Sequence, residues 1–260
     1  MSYTAAANRK NPALIIYLLD CSGSMATQDV KLNDGSTETR MNVVLKAFEE
    51  SVIRMIQLST KGTVISPRYR LAVYAYTSDV QDVFGGIKTI DQVAQIGLPT
   101  LTAQTQTNTE AAFLRAEELL RAELPKLSVG VPAPLICHMT DGEVNMGGDA
   151  SIVAQRIMRM NVPDGNVLIE NIFVSPSAQL LRDTAIDAKS WPGISSPTEL
   201  INDYAKRLFE MSSAVPDSYR SMMLEMGYKG LQLGARMMFA GNDYPLIKMA
   251  FAMSTATPVR

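Results

Sequence analysis

Apolar and polar positions along this chain follow a pattern that predicts strands alternating with helices. Residues 13 to 19, Ala-Leu-Ile-Ile-Tyr-Leu-Leu, form an unbroken apolar run, which predicts a strand covered on both faces, as in the middle of a parallel sheet. From 40 to 58 the apolar residues Val43, Val44, Ala47, Phe48, Val52, Met55 and Ile56 recur with helical period, with Lys46, Glu49, Glu50 and Arg54 between them. That spacing predicts an amphipathic helix. Residues 70 to 77 interleave Leu71, Val73 and Ala75 with Ala72, Tyr74 and Tyr76, a strand with both faces covered. Gly85-Gly86 then breaks the pattern, and Ile87 and Ile90 predict a short edge strand.

The alternation returns as helix 109–122, strand 134–139, helix 150–160, strand 167–174 and helix 199–212. This order predicts an α/β fold: a doubly wound, mostly parallel sheet with helices on both faces. Ligand sites in such sheets lie beyond the carboxyl ends of the strands, where the chain order reverses. Past Pro216 methionine and glycine concentrate, and residues 217–226 and 245–253 show helical apolar spacing through Met222, Met223 and Met226 and through Leu246, Ile247, Ala250 and Phe251. The expected organisation is an N-terminal tail (1–11), an α/β domain (12–212) and a methionine-rich C-terminal helical extension (213–260) packed on it.

Charge and composition narrow the function. A chain of 260 residues has ample length for this core, and 24 Lys and Arg against 26 Asp and Glu provide no basic surface for nucleic acid or an anionic membrane. No apolar stretch approaches the roughly 20 residues that span a bilayer. Arg9-Lys10 ahead of the run 13–19 imitates a secretion signal, but Asp20 stands before Cys21 where a cleavage site needs a small residue. A cytoplasmic location is expected. Cys21 and Cys137 lie in or beside apolar runs and read as reduced, structural residues. The one histidine, His138, excludes multi-histidine zinc chemistry and, inside an apolar strand, reads as a hydrogen-bonded core residue.

Directly after the first apolar run stands Asp20-Cys21-Ser22-Gly23-Ser24, that is Asp-x-Ser-x-Ser. Chance produces this pattern in about 8 of 100 chains of this length, so its position carries the argument. It falls at a strand end, as does Thr140-Asp141-Gly142, while Thr105-Gln106-Thr107-Asn108-Thr109 opens the helix between them. Three hydroxyl and carboxylate clusters thus meet on one rim of the predicted sheet.

These segments, in this order, resemble the von Willebrand factor type A (vWA) family, whose metal-ion-dependent adhesion site (MIDAS) uses an Asp-x-Ser-x-Ser loop, a threonine on a second loop and an aspartate on a third. The resemblance covers about residues 12 to 212. It implies a site of Asp20, Ser22, Ser24, Thr107 and Asp141, with Ser22, Ser24 and Thr107 as direct ligands and the aspartates acting through water. Oxygen-only donors suit Mg²⁺, for which Mn²⁺ or Ca²⁺ could substitute. The family often has Gly-Gly-Thr-Asn where Gln106 precedes Thr107 here, so Thr105 and Thr109 stay as alternatives. Thr107-x-x-Glu110 also matches a helix capping box, a competing use of the same hydroxyl. The link from the serine loop to its helix, Ala26 to Arg40, is longer than usual and contains the polar turn Asn33-Asp34-Gly35-Ser36.

The function implied is a non-enzymatic, metal-dependent interaction module in which the ion keeps a position open for an Asp or Glu carboxylate of a partner protein. The lengthened loop would form one wall of the docking surface, with Lys31 and Arg40 orienting the acidic partner. Soluble intracellular bacterial members of the family, associated with stress response and tellurite resistance, act beside kinases, phosphatases or ATPases, and this chain resembles them. A Mg²⁺-dependent phosphohydrolase of the haloacid dehalogenase type is the enzymatic alternative, but it needs a second aspartate where Ser22 stands. No Gly-x-Gly-x-x-Gly or Gly-Lys-Ser/Thr loop offers a home for a nucleotide. A structural domain with an idle site is the third possibility.

Overall fold

The run read as a doubly covered strand becomes Ala13–Asp20 (β1), and every one of its residues is buried. The computed structural model describes residues 2–32, 34–98, 100–104, 106–142, 146–174, 187–241 and 244–259. The sheet continues in chain order with Tyr69–Tyr76 (β2), Val80–Asp82 (β3), Lys88–Thr89 (β4), Leu135–Thr140 (β5), Leu168–Phe173 (β6) and Met238–Ala240 (β7). Across the sheet the order is β7, β6, β5, β1, β2, β3, with β4 also pairing with β2. All neighbours from β7 to β2 run parallel, and only β3 and β4 are antiparallel. Since the chain passes from β1 to β2 on one side and later returns to β5 on the other, the order reverses beside β1. The carboxyl ends of β1 and β5 flank that switch point.

Helices cover both faces: Arg40–Ser59 (α1), Ile90–Ile96 (α2), Thr109–Glu123 (α3), Ala150–Ile157 (α4), Asp203–Glu210 (α5), Asp217–Glu225 (α6) and Tyr244–Ser254 (α7). Tyr17 marks one face, its ring 4.7 Å from Phe48 of α1 and 6.2 Å from Phe251 of α7. Its hydroxyl lies 3.0 Å from Ser254 Oγ and 3.4 Å from Ser51 Oγ, so the polar tip is satisfied inside an apolar layer. His138 marks the other face, edge-on to Phe113 of α3 at 5.0 Å.

The predicted fold class is the observed one, with local differences. The segment 199–212 is helical only over Asp203–Glu210, because Pro197–Glu199 forms a 3₁₀ turn and the Asn202 side chain caps the helix by accepting from the Ala205 amide at 2.7 Å. Ile90 opens a helix instead of belonging to an edge strand, which is confined to Lys88–Thr89. The C-terminal segment is more than helical: β7 pairs with β6 in the register Asn171 to Met238 and extends the sheet. The first residues are also anchored, since Asp164 Oδ1 accepts from the Thr4 and Ala5 amides at 2.8 and 2.9 Å.

A polar chain crosses the second face. Asn171 donates from Nδ2 to the Leu208 carbonyl at 3.3 Å and to Ser212 Oγ at 2.9 Å, which turns its Oδ1 toward His138 Nδ1, 2.7 Å away. Nδ1 therefore carries the proton, and Nε2 accepts from the Tyr76 hydroxyl at 2.7 Å. Burial lowers the pKa of this imidazole from 6.5 to about 4, with the Asn171 bond opposing.

Two outcomes follow. The folded state disfavours protonated His138, whereas the unfolded chain takes up a proton below pH 6.5. Stability conferred by the neutral ring is thus complete above 6.5 and is lost as pH falls toward 4, by about 3 kcal/mol. Urea unfolding of the wild type and of His138→Gln, compared between pH 7 and 4.5, should show that slope in the difference between the two, because the carboxyls that titrate in the same range are common to both. Deleting residues 217–260 strips β7 and α7 from the sheet, uncovers Tyr17 and Phe48, and should give an aggregating product in size-exclusion chromatography. A soluble, folded and monomeric truncation would contradict that packing argument.

Candidate metal centre

Asp20 closes β1 and Thr140 closes β5, so the switch point sets them side by side. Asp20 is 1% exposed; its Oδ1 accepts from the Ser22 amide at 2.8 Å and its Oδ2 from the Thr140 hydroxyl at 2.6 Å. The Ser22 bond turns the chain off the strand into the 3₁₀ turn Gly23–Ala26, whose Met25 enters the core. The Ser22 and Ser24 hydroxyls are left 3.1 Å apart. Burial raises the Asp20 carboxyl to about 6, its bond from Thr140 works in the opposite direction, and the nearby charge of Asp141 adds to the rise.

Asp141 follows β5 directly, and its side chain is fully buried. The turn beyond it depends on Gly142, which has φ +83° and where a Cβ would stand 2.6 Å from the Phe173 ring. Its amide donates to Thr140 Oγ1 at 3.0 Å, so one threonine hydroxyl braces both carboxylate-bearing segments.

The threonine segment is tied to both neighbouring strand ends. The Gln104 amide donates to the Cys21 carbonyl at 2.6 Å and the Asn108 amide to the Thr77 carbonyl at 2.7 Å. Thr107, between these ties, is buried. The helix is capped by Asn108, whose side chain accepts from the Ala111 amide at 3.0 Å, and Glu110 accepts from the Gly148 amide at 2.6 Å. The capping-box use of Thr107 is thereby replaced. Thr109 is the buried first residue of α3, and Thr105 lies outside the described residues.

The structure thus brings Asp20, Ser22 and Ser24 into one loop, sets Asp141 within electrostatic reach of Asp20, and pins the Thr107 segment to Cys21. Among the described residues no group of three or more His, Cys, Asp and Glu could hold a metal. The donors here are two carboxylates and a set of hydroxyls, a composition suited to a hard, oxygen-seeking ion. A buried pair of acidic groups, one with its pKa raised, is what an added cation relieves. Burial and the charge of Asp20 push the Cys21 thiol up to about 12, which disfavours the reactive thiolate.

Two residues of the centre were not assigned these parts from the sequence. Thr140 was visible only as the neighbour of Asp141, and a strand-terminal threonine carries no signal of its own. Arg40 was expected to face a partner. Instead it is buried, with Nη1 3.0 Å from Asp141 Oδ2 and Nη2 2.6 Å from Asp29 Oδ2, and is unavailable for docking. Lys31 is exposed.

No family model and no curated protein matches the chain. The fold is similar to that of proximal thread matrix protein 1 from the mussel byssus, at 12% identity over 95% of this chain and 47% of that one, with a TM-score of 0.52. A second structure of that protein, with a zinc-occupied MIDAS motif, matches at 12% identity over the same shares with a TM-score of 0.51. BatB from Bacteroides thetaiotaomicron matches at 17% identity over 94% of this chain and 99% of that one, with a TM-score of 0.46. The chain spans about half the length of the mussel protein. Its architecture is a vWA-like α/β fold.

Proposed function

We propose that this chain is a metal-dependent protein-interaction module of the MIDAS type. Ser22, Ser24 and Thr107 would hold Mg²⁺ directly, and Asp20 and Asp141 would act through water. The observation that carries this reading is the buried Asp20 carboxylate at the switch point, oriented by two hydrogen bonds beside two serine hydroxyls 3.1 Å apart. The zinc-occupied MIDAS of the similarly folded mussel protein supports divalent-metal use. Mg²⁺ bound by neutral hydroxyls supplies a strongly electrophilic position that favours an anionic ligand such as an Asp or Glu carboxylate of a partner.

The residues around the centre support a binding role over catalysis. The Cys21 thiol is held protonated, and the imidazole of His138 is buried and neutral at pH 7, so neither serves as nucleophile or base. With Arg40 committed to Asp29 and Asp141, Lys31 and Arg207 are cations among the described residues that would orient an acidic partner. The latter lines an open cleft of about 650 Å³ with Gly148, Asp149 and Tyr204. Gly148, Asp149, Tyr204 and Arg207 also line a smaller pocket that reaches Thr140 and Gly142. No helix among the described residues is long and apolar enough to cross a membrane. A cytoplasmic assembly part beside a kinase, phosphatase or ATPase, in a stress-response setting such as tellurite resistance, is the context the family resemblance supports.

Calorimetric titration with Mg²⁺ should reveal one site, and Asp20→Ala should abolish it while leaving the circular dichroism spectrum unchanged; equal binding by that variant would defeat the assignment. Mg²⁺ should also stabilise the fold only through the linkage of binding to folding, by about 2.7 kcal/mol at 100 times Kd, read as a rise in melting temperature. Affinity capture from the native cell, with and without chelator, addresses the partner. The metal-bridged partner should vanish with chelator and with Thr107→Ala, whereas identical partner lists in all three samples would refute the carboxylate bridge.

A further inference from the structure

The hairpin between the serine loop and α1 pairs Gln28–Lys31 with Thr37–Thr39. Its register shifts between Gln28 and Val30, which makes Asp29 the additional residue of a β-bulge. Bulges re-aim a side chain, and here the Asp29 carboxylate meets the Arg40 guanidinium as a fork: Nε to Oδ1 at 3.0 Å and Nη2 to Oδ2 at 2.6 Å. The remaining arm, Nη1, donates to Asp141 Oδ2 at 3.0 Å. The backbone closes the arrangement, because the Arg40 amide donates to the Thr27 carbonyl at 3.0 Å. Side-chain exposure runs from 24% at Asp29 through 10% at Arg40 to 0% at Asp141. The three groups form a charge chain leading from the hairpin surface into the centre.

We propose that Arg40 is a tethered counter-ion that sets the cation affinity of the centre, and that the hairpin tunes it through Asp29. This rests on the metal-binding reading of the same site. Arg40 carries a fixed positive charge and holds it against one of the two carboxylates on which a cation would depend. Left to itself, that charge would oppose a divalent ion at Asp141. Asp29 takes two hydrogen bonds of the guanidinium against one to Asp141 and neutralises it, so that Asp141 keeps its own negative charge for the ion. The chain has a directional consequence that packing alone does not give. Loss of the Arg40 charge strengthens cation binding, and loss of the Asp29 charge weakens it.

The test is Mg²⁺ titration by calorimetry of wild type, Arg40→Gln and Asp29→Asn, the last being nearly isosteric and partly exposed, so that it keeps the fold. Urea unfolding of each verifies that the native state is populated. Arg40→Gln should bind Mg²⁺ about tenfold more tightly and Asp29→Asn about tenfold more weakly, the scale of one unit charge near a divalent ion in a partly dry site. If Arg40 only positions Asp141, both variants weaken binding, and that result overturns the proposal. So do changes below threefold in both. Should Arg40→Gln fail to fold, Arg40→Met takes its place with the same expectation of tighter binding, and weaker binding there overturns the proposal, as does unchanged or tighter binding by Asp29→Asn. Absence of Mg²⁺ binding by the wild type overturns the metal reading and this inference together. Wild-type binding without the opposed shifts overturns this inference only.

Discussion

A carboxylate at the end of a strand buried along its whole length has to be hydrogen-bonded, neutralised or paired, because charge in such a place is costly. That constraint on Asp20 organises the rim of the sheet. Both its oxygens are engaged, one by the amide that turns the chain into the serine loop and one by the Thr140 hydroxyl. The same hydroxyl receives the Gly142 amide, so the turn after β5 is coupled to the turn after β1. Arg40 then brings in the hairpin and the first residue of α1 through Asp141. The result is a centre assembled from hydrogen bonds that cross between elements far apart in sequence.

Glu170 shows what happens to a carboxyl placed elsewhere on the same sheet. It sits in the middle of β6, paired in register with Cys137, wholly buried, and burial raises its pKa well above the ordinary value. Burial there disfavours its charged form, in the same layer as Tyr17. Asp20 differs because it lies at the strand end, where loop amides and hydroxyls can reach it. Position along the strand, more than residue type, separates a carboxyl suited to binding from one confined to the core.

The elements legible in the sequence were those whose burial spans many residues. β1 and α1 announce themselves by an unbroken apolar run and by five turns of helical spacing, and their observed limits, Ala13–Asp20 and Arg40–Ser59, agree with the pattern. β7 was hidden because Met238–Ala240 is three residues long, too short for periodicity to distinguish strand from helix. Capping slipped by one position: Thr107 satisfies the capping pattern, yet Asn108 performs the bond, since both residues are good caps and only the loop geometry chooses. The sequence points Arg40 outward because a basic residue opening an amphipathic helix normally faces water. Its burial depends on Asp141, 101 residues away, and on a bulge at Asp29 that no local pattern signals.

The strand order has a bearing on how the protein is made. β6 ends at Phe173 and its outer neighbour β7 begins at Met238. At about 5 to 20 residues per second, ribosomal synthesis of the intervening stretch leaves the outer edge of β6 without its partner for roughly 3 to 13 s. During that interval the nascent sheet presents the hydrogen-bonding groups of Leu168–Phe173 and the side of the Tyr17 ring that Phe251 later stacks on. This side of the sheet closes only when Met238–Ala240 and Tyr244–Ser254 have been made.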